Sequence, residues 1–262
     1  IFLVDVEDSD SGRWLPWPAG ECCDECSCDV ETVAAGSDPV NPETGIDLLA
    51  AITVGLGDYC RKSGIERLVI GMSGGLDSSV CAAIACRTVG PENVLGLAMP
   101  SRYSSDHSLA DAKATAEALG MELHTHSISE LHDAAEAELR EQLAEGNPVA
   151  LENIQSRLRG MMVMAMANSR NAMAITTGNK SELAMGYCTL YGDMVGGYAP
   201  LGDLYKTEER ELAKYIGVPQ EIIDRPPTAG LWEGQTDEEE IGITYEVLDQ
   251  ILGAIENDDG LD

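Results

Sequence analysis

The chain has 262 residues, 44% of them apolar and only 5% aromatic, so it can bury a large core resting on Ala, Val, Ile, Leu and Met. Its formal net charge of −30, with 46 Asp and Glu against 16 Lys and Arg, excludes nucleic acid or an anionic membrane as a general partner, because phosphate contacts draw on Lys and Arg. No apolar run approaches the roughly 20 residues of a membrane span and no signal peptide is visible, so a soluble, cytoplasmic chain is expected.

Only five lysines are present, Lys62, Lys113, Lys180, Lys206 and Lys214. The pattern fits a surface adapted to high salt, where self-repulsion is screened, or an ordinary acidic cytosolic protein. Either way, an anionic ligand must be met by local charges.

Residues 1–45 form an appendage or linker rich in Asp, Glu, Gly, Pro and Cys, and a single domain is expected over 46–262. Cys22, Cys23, Cys26 and Cys28 cluster there; four thiolates within seven residues leave little chain to wrap a tetrahedron, so a reduced segment competes with a zinc site. Ile1 to Val6 reads as the last strand of an upstream domain, which would explain the absent initiator methionine.

From residue 46 the periodicity is regular. A helix over about 46–62 leads to the apolar strand Leu68-Val-Ile70, and a helical stretch follows from Ser79. Between them lies Gly71-Met-Ser-Gly-Gly-Leu-Asp-Ser-Ser79. Adjacent glycines let the backbone turn sharply, so successive N–H groups face an anion at the positive end of the next helix. Ser73, Ser78 and Ser79 add hydroxyl donors. Asp77 inside a phosphate cradle makes sense chiefly as a ligand to magnesium shared with the phosphates. The loop therefore reads as a pyrophosphate cradle, and the chain as a user of ATP. Neither Gly-x4-Gly-Lys-Ser/Thr nor Gly-x-Gly-x-x-Gly occurs.

A second strand covers Val94 to Met99, and Ser105 or Asp106 caps a helix whose Leu109, Ala112, Ala116 and Leu119 share a face. A third strand covers Glu122 to Ile128, followed by a charged helix around 130–145, a helix over 151–168 and a buried strand from Ala172 to Thr177. Strands alternating with helices give an α/β fold, a three-layer, Rossmann-like doubly wound parallel sheet with its ligand beyond the strand C-termini. Met161, Met162, Met164 and Met166 read as helix core, and His124 and His126 as a surface pair on one strand face. The last strand ends in Thr177-Gly-Asn-Lys-Ser-Glu182, which brings a hydroxyl, the charge of Lys180 and a second magnesium ligand, Glu182, opposite Asp77.

Ser73-Gly-Gly-Leu-Asp-Ser78, Glu152-Asn-Ile-Gln-Ser-Arg-Leu-Arg159, Thr177 to Glu182, Tyr191-Gly-Asp193, Leu204-Tyr-Lys-Thr207 and Pro227-Thr-Ala-Gly-Leu-Trp-Glu-Gly-Gln-Thr-Asp-Glu238 follow in the order and spacing of NAD synthetase. The resemblance covers roughly residues 46–252. It implies an adenine-nucleotide α-hydrolase-like fold and amidation of deamido-NAD to NAD with ATP as co-substrate. An adenylate would form first, and ammonia would then release AMP. By the same resemblance Gly71, Met72, Ser73, Gly74, Gly75, Leu76, Asp77 and Ser78 would bind ATP, with Thr177 and Thr228. Lys206 would meet the phosphates and, with Asp77, act in catalysis. Asn153, Arg157 and Glu182 would contact deamido-NAD, and a homodimer is implied. With so few lysines available, one inside a motif is not surface decoration.

Subtype features are mixed. Gly90 to Val94, Met99 to Ser105 and Leu190 to Gly197 resemble the synthetase module of glutamine-dependent enzymes, which carry an amidase domain upstream; Pro200 to Tyr205 and Ala229 to Asp237 resemble the ammonia-dependent kind. Leu190 and Gly197 stand where many ammonia-dependent relatives place a lysine and an aspartate on deamido-NAD. The family usually continues to a basic C-terminal segment that is not seen here, which predicts weak deamido-NAD binding. Competing readings are a GMP synthetase-like enzyme with the same loop and a nucleotide-binding module without turnover.

Overall fold

The computed structural model describes residues 42–257 apart from 145, 148 and 233. The cysteine cluster at 22–28, the 1–6 strand and the last five residues lie outside them. The described elements run α1 (Pro42–Ser63), β1 (Leu68–Gly71), α2 (Leu76–Val89), β2 (Val94–Ala98), α3 (Asp106–Leu119), β3 (Glu122–Thr125), α4 (Ser129–Glu138), α5 (Arg140–Leu143), α6 (Val149–Arg170), β4 (Met173–Ile175), α7 (Lys180–Met185), α8 (Lys206–Ile216), α9 (Gln220–Ile223), α10 (Asp237–Ile241) and α11 (Tyr245–Glu256).

The strands form one parallel sheet in the order β3-β2-β1-β4, with Val69 opposite Leu95 on one side and Ala174 on the other. Alternation sends successive side chains to opposite faces. Leu68, Ile70, Val94, Met173 and Ile175 join α1, α2 and α8 in one core, with Leu56, Ile84 and Leu212 buried among them. Val69, Leu95, Leu97 and Ala174 meet Val163 and Ala167 of α6 in a second core. The three layers expected from the alternating pattern are thus present. Gly96 sits where a Cβ would approach Met121, Leu123 and Met72 within 2.8–2.9 Å, so the first core closes directly on backbone.

Several boundaries move for physical reasons. The helix expected from Ser79 begins at Leu76, because the cradle is itself the first turn of α2. The 172–177 strand stops at Ile175, beyond which Thr176 N donates to Tyr198 O at 3.0 Å. The 130–145 helix breaks at Leu139, whose ψ is 8°. On α3, Ser105 is the N-cap, and Ala112 and Ala116 are buried as the spacing predicts. The methionine run divides: Met162 and Met166 pack on the second core, whereas Met161 and Met164 are 53% and 39% exposed. No helix among the described residues is long and apolar enough to cross a membrane.

Candidate active site

The sheet order reverses at β1, since the chain leaves toward β2 and β3 and returns to β4 on the other side. Above that fork a cavity of about 1020 Å³ opens at the strand C-termini, lined by the 71–77 loop, the 176–178 turn and the 226–237 segment.

The loop is held open by its own side chains. Gly74 has φ +80°, and a Cβ there would come within 2.1 Å of Ser108 O. Ser78 Oγ and Ser79 Oγ both donate to Gly75 O, at 3.1 and 2.8 Å, and Ser73 Oγ accepts from Gly75 N at 3.1 Å. Ser78 and Ser79 are buried and absent from the cavity wall, so they brace the turn instead of presenting hydroxyls to a ligand, as had been expected of all three serines. Ser73 is exposed on the wall. The 14-residue α2 starts directly behind the loop and aims its positive end at the cavity.

The second loop joins the first through Asn179. This residue, fully buried, caps α7 in a box with Glu182: Glu182 N donates to Asn179 Oδ1 at 3.0 Å and Asn179 N to Glu182 Oε2 at 3.1 Å. Its Nδ2 then donates to Asp77 Oδ1 at 2.9 Å. Lys206 completes the joint, its Nζ donating to both Asp77 oxygens at 2.6 and 2.7 Å. Lys206 opens α8 and is 1% exposed; its backbone N donates to Ser181 Oγ, which donates in turn to Asp249. Behind it Glu209, wholly buried, places Oε2 3.3 Å from Nζ. Lys180, expected to bring charge to this loop, instead reaches Glu256 at 2.6 Å and lies over the Tyr205 ring, off the cavity wall.

Charge here is unbalanced. Burial raises the Asp77 carboxyl, but the Lys206 ammonium and the Asn179 amide outweigh it and hold it below its ordinary value. Burial would lower Lys206, yet Asp77, Glu209 and Glu182 keep it well above its usual range. Burial and the Asp77 charge push Glu182 up to about 8 and Glu209 well above the carboxylate range. Asp77, Glu182, Glu209 and Asp237 thus share one lysine as a source of positive charge. Hard oxygen donors in excess of cations suit magnesium. No three His, Cys, Asp or Glu among the described residues form a complete metal cage, so such an ion would be shared with the phosphates of a ligand.

On the far wall, α6 presents Glu152, Asn153, Ser156 and Arg159 to the cavity. Asn153 Oδ1 accepts from Thr189 Oγ1 at 2.9 Å. Arg157, expected from the resemblance to contact deamido-NAD, is off the wall and exposed, its Nε donating to Leu190 O, whereas Arg159 lines the cavity and donates to Met99 O. Burial pulls Arg159 down to about 10. Thr177 and Thr228 lie on the wall, as does Gln235, whose Oε1 accepts from Leu231 N while Gln155 holds Leu231 O. Asp193 accepts from Ser156 Oγ and Thr189 N, locking the 189–193 turn against α6. Glu209 carries no signal beyond ordinary helix spacing, whereas Gln155, Arg159, Asn179 and Gln235 stand inside the family-like strings without the resemblance giving them a role.

A parallel sheet with a glycine-serine-aspartate cradle at its switch point defines an adenine-nucleotide α-hydrolase-like domain. The chain belongs to the NAD synthase family, whose model matches residues 48–261. It is 46% identical over 217 residues to the glutamine-dependent NAD(+) synthetase of Synechocystis sp., a match covering 80% of this chain and 38% of that protein. The chain therefore spans well under half the length of that relative. It is 45% identical over 204 residues to the NH(3)-dependent NAD(+) synthetase of Thermococcus kodakarensis, covering 78% of each. Among solved structures, NMN synthetase from Francisella tularensis superposes with a TM-score of 0.74 at 37% identity, over 82% of this chain and 87% of that one.

Proposed function

We propose that the chain makes NAD from deamido-NAD by ATP-dependent amidation. The nicotinate carboxylate attacks the α-phosphorus of ATP, pyrophosphate leaves, and ammonia displaces AMP from the adenylate. The observation that carries this reading is the Asp77–Asn179–Lys206 joint, which fixes cradle and second loop in one frame at the cavity floor. Cleavage between α and β phosphorus needs the leaving pyrophosphate to be held, and the α2 end, the Gly74 backbone and the Ser73 hydroxyl offer donors for that purpose. Asp77 and Glu182 would hold magnesium, which supplies positive charge to the phosphates. Lys206 is kept ionised and aimed by its two carboxylates. Arg159 and Asn153 offer polar groups to the second substrate. No covalent enzyme intermediate is needed, so catalysis is positioning and electrostatics. The cavity volume is at the top of the roughly 300–1,000 Å³ range of single-ligand sites, as two substrates meeting would require.

The nitrogen source proposed is free ammonia, supported by the match to the NH(3)-dependent relative over 78% of each chain. A homodimer is proposed because Val149, Met161 and Met164 leave apolar side chains uncovered along α6; sedimentation equilibrium showing a monomer at working concentration would reject it. Incubation with ATP, magnesium, ammonium and deamido-NAD tests the activity, with NAD and AMP expected in equal amounts. Glutamine should not replace ammonium at matched ammonia contamination.

The superposition on NMN synthetase favours a second reading, in which the acceptor is the corresponding mononucleotide acid. Gly197 is compatible with it: the position lacks the aspartate that many ammonia-dependent relatives place on deamido-NAD, and a Cβ there would come within 2.9 Å of Met173 Sδ, so that a larger side chain requires Met173 to shift. Parallel kcat/KM measurements on the two acids decide between them.

A further inference from the structure

One wall of the cavity holds more carboxylate acceptors than donors. Asp237 opens α10 and is 4% exposed; its Oδ2 lies 3.4 Å from the Tyr245 hydroxyl, while the buried Oδ1 has no hydrogen-bond partner. Nearby, Glu240 Oε2 accepts from the Tyr187 hydroxyl at 2.5 Å and from Gln235 Nε2 at 2.8 Å. Burial and the Glu240 charge raise the Glu152 carboxyl above its ordinary value. Asp237, Glu240, Glu152 and Tyr187 all line the cavity, and among the described residues none of the three carboxylates has a Lys or Arg ion pair.

Of the local donors, Tyr187 is shared between Glu240 and Asp237, and Gln235 is committed to Glu240. An occupant must therefore bring its own. A buried carboxylate oxygen left without a donor is costly, which makes the Asp237 Oδ1 position a demand for one. The described side chains are too dispersed for a metal cage, whereas hydrogen bonds from a small cation bridge oxygens at wider spacing. Ammonium fits: it is positive, donates on all sides and accepts nowhere.

The geometry points to Asp237, assisted by Glu240 and Tyr187, as the subsite that receives ammonium before amidation. This rests on the amidation reading above. Ammonium gives one proton to Asp237 Oδ1, which frees the nitrogen lone pair. Nitrogen then bonds to the adenylated carboxyl carbon as the carbon–oxygen bond to AMP breaks, the electron pair leaving on AMP phosphate. The second proton passes from nitrogen to solvent, giving the neutral amide.

Two measurements on the full chain test it. Loss of a charge-assisted hydrogen bond in Asp237→Asn should raise the KM for ammonium about tenfold or more. Glu240→Gln, an exposed position, should raise it by a smaller factor while leaving pyrophosphate–ATP exchange dependent on deamido-NAD within about twofold of the parent. An unchanged ammonium KM in both variants overturns the subsite. Independently, the parent should broaden the ¹⁵N-ammonium resonance without nucleotide and Asp237→Asn should not; equal broadening also overturns it. Absence of exchange in the parent would reject amidation itself, and the resonance comparison would still decide whether ammonium binds at Asp237.

Discussion

Gly74 shows how much one backbone position decides. Its φ of +80° and the 2.1 Å approach of Ser108 O to a hypothetical Cβ leave room for hydrogen alone. Gly74→Ala should lower stability by about 2 kcal/mol from the left-handed strain and clash and weaken ATP binding sharply; melting curves and ATP titration calorimetry check both. Asp77→Asn should abolish NAD and AMP formation together and, by leaving the buried Lys206 short of its partner, cost about 3 kcal/mol in urea unfolding. Retained turnover would refute the role given to Asp77. Asp77 and Lys206 were legible in the sequence because both stand in distinctive strings. Glu209 was not, and Asn179, although inside the Thr177–Glu182 string, drew no role from it. Asn179 reads as a plain helix cap, and Glu209, three residues after Lys206, has the spacing of an exposed helix pair; only the packing of α8 against α1, α2 and α11 buries it.

Among elements, α4 is tied to the cavity lip. Arg102, from the segment after β2, donates to Asp133 at 2.9 Å and Glu136 at 2.7 Å, and His132 lies buried beneath with Nε2 3.1 Å from Glu136. Burial lowers the His132 imidazole below its ordinary 6.5; Glu136 and Asp133 oppose that, while Arg102 and Arg159 reinforce it. The unfolded chain binds this proton near pH 6.5 and the folded chain only at lower pH, so His132 makes stability decline as pH falls through 6.5. His132→Gln should flatten the change in unfolding free energy between pH 7.5 and 5.5 relative to the parent, whatever its effect at either pH. Periodicity located the strands and helices because alternating and 3.6-residue patterns are local. It did not give the neighbour relation between β1 and β4, nor the break at Leu139, since both depend on contacts with other elements.

For the whole molecule, −30 charges on 262 residues oppose compaction. Thermal stability should therefore rise as KCl is added, with the largest gain below the concentration at which the screening length falls to about 3 Å near 1 M. A maximum at low salt would show that specific ion pairs outweigh the general repulsion. The sheet order has a consequence for biosynthesis. β1 at Leu68–Gly71 sits between β2 and β4, and β4 at Met173–Ile175 emerges from the ribosome about a hundred residues later. Until then one edge of β1 has unpaired amides beneath a highly apolar surface. Nascent chains ending at Arg170 should accordingly leave the β4-facing amides of β1 in fast exchange, and chains extended past Ile175 should protect them in a single step.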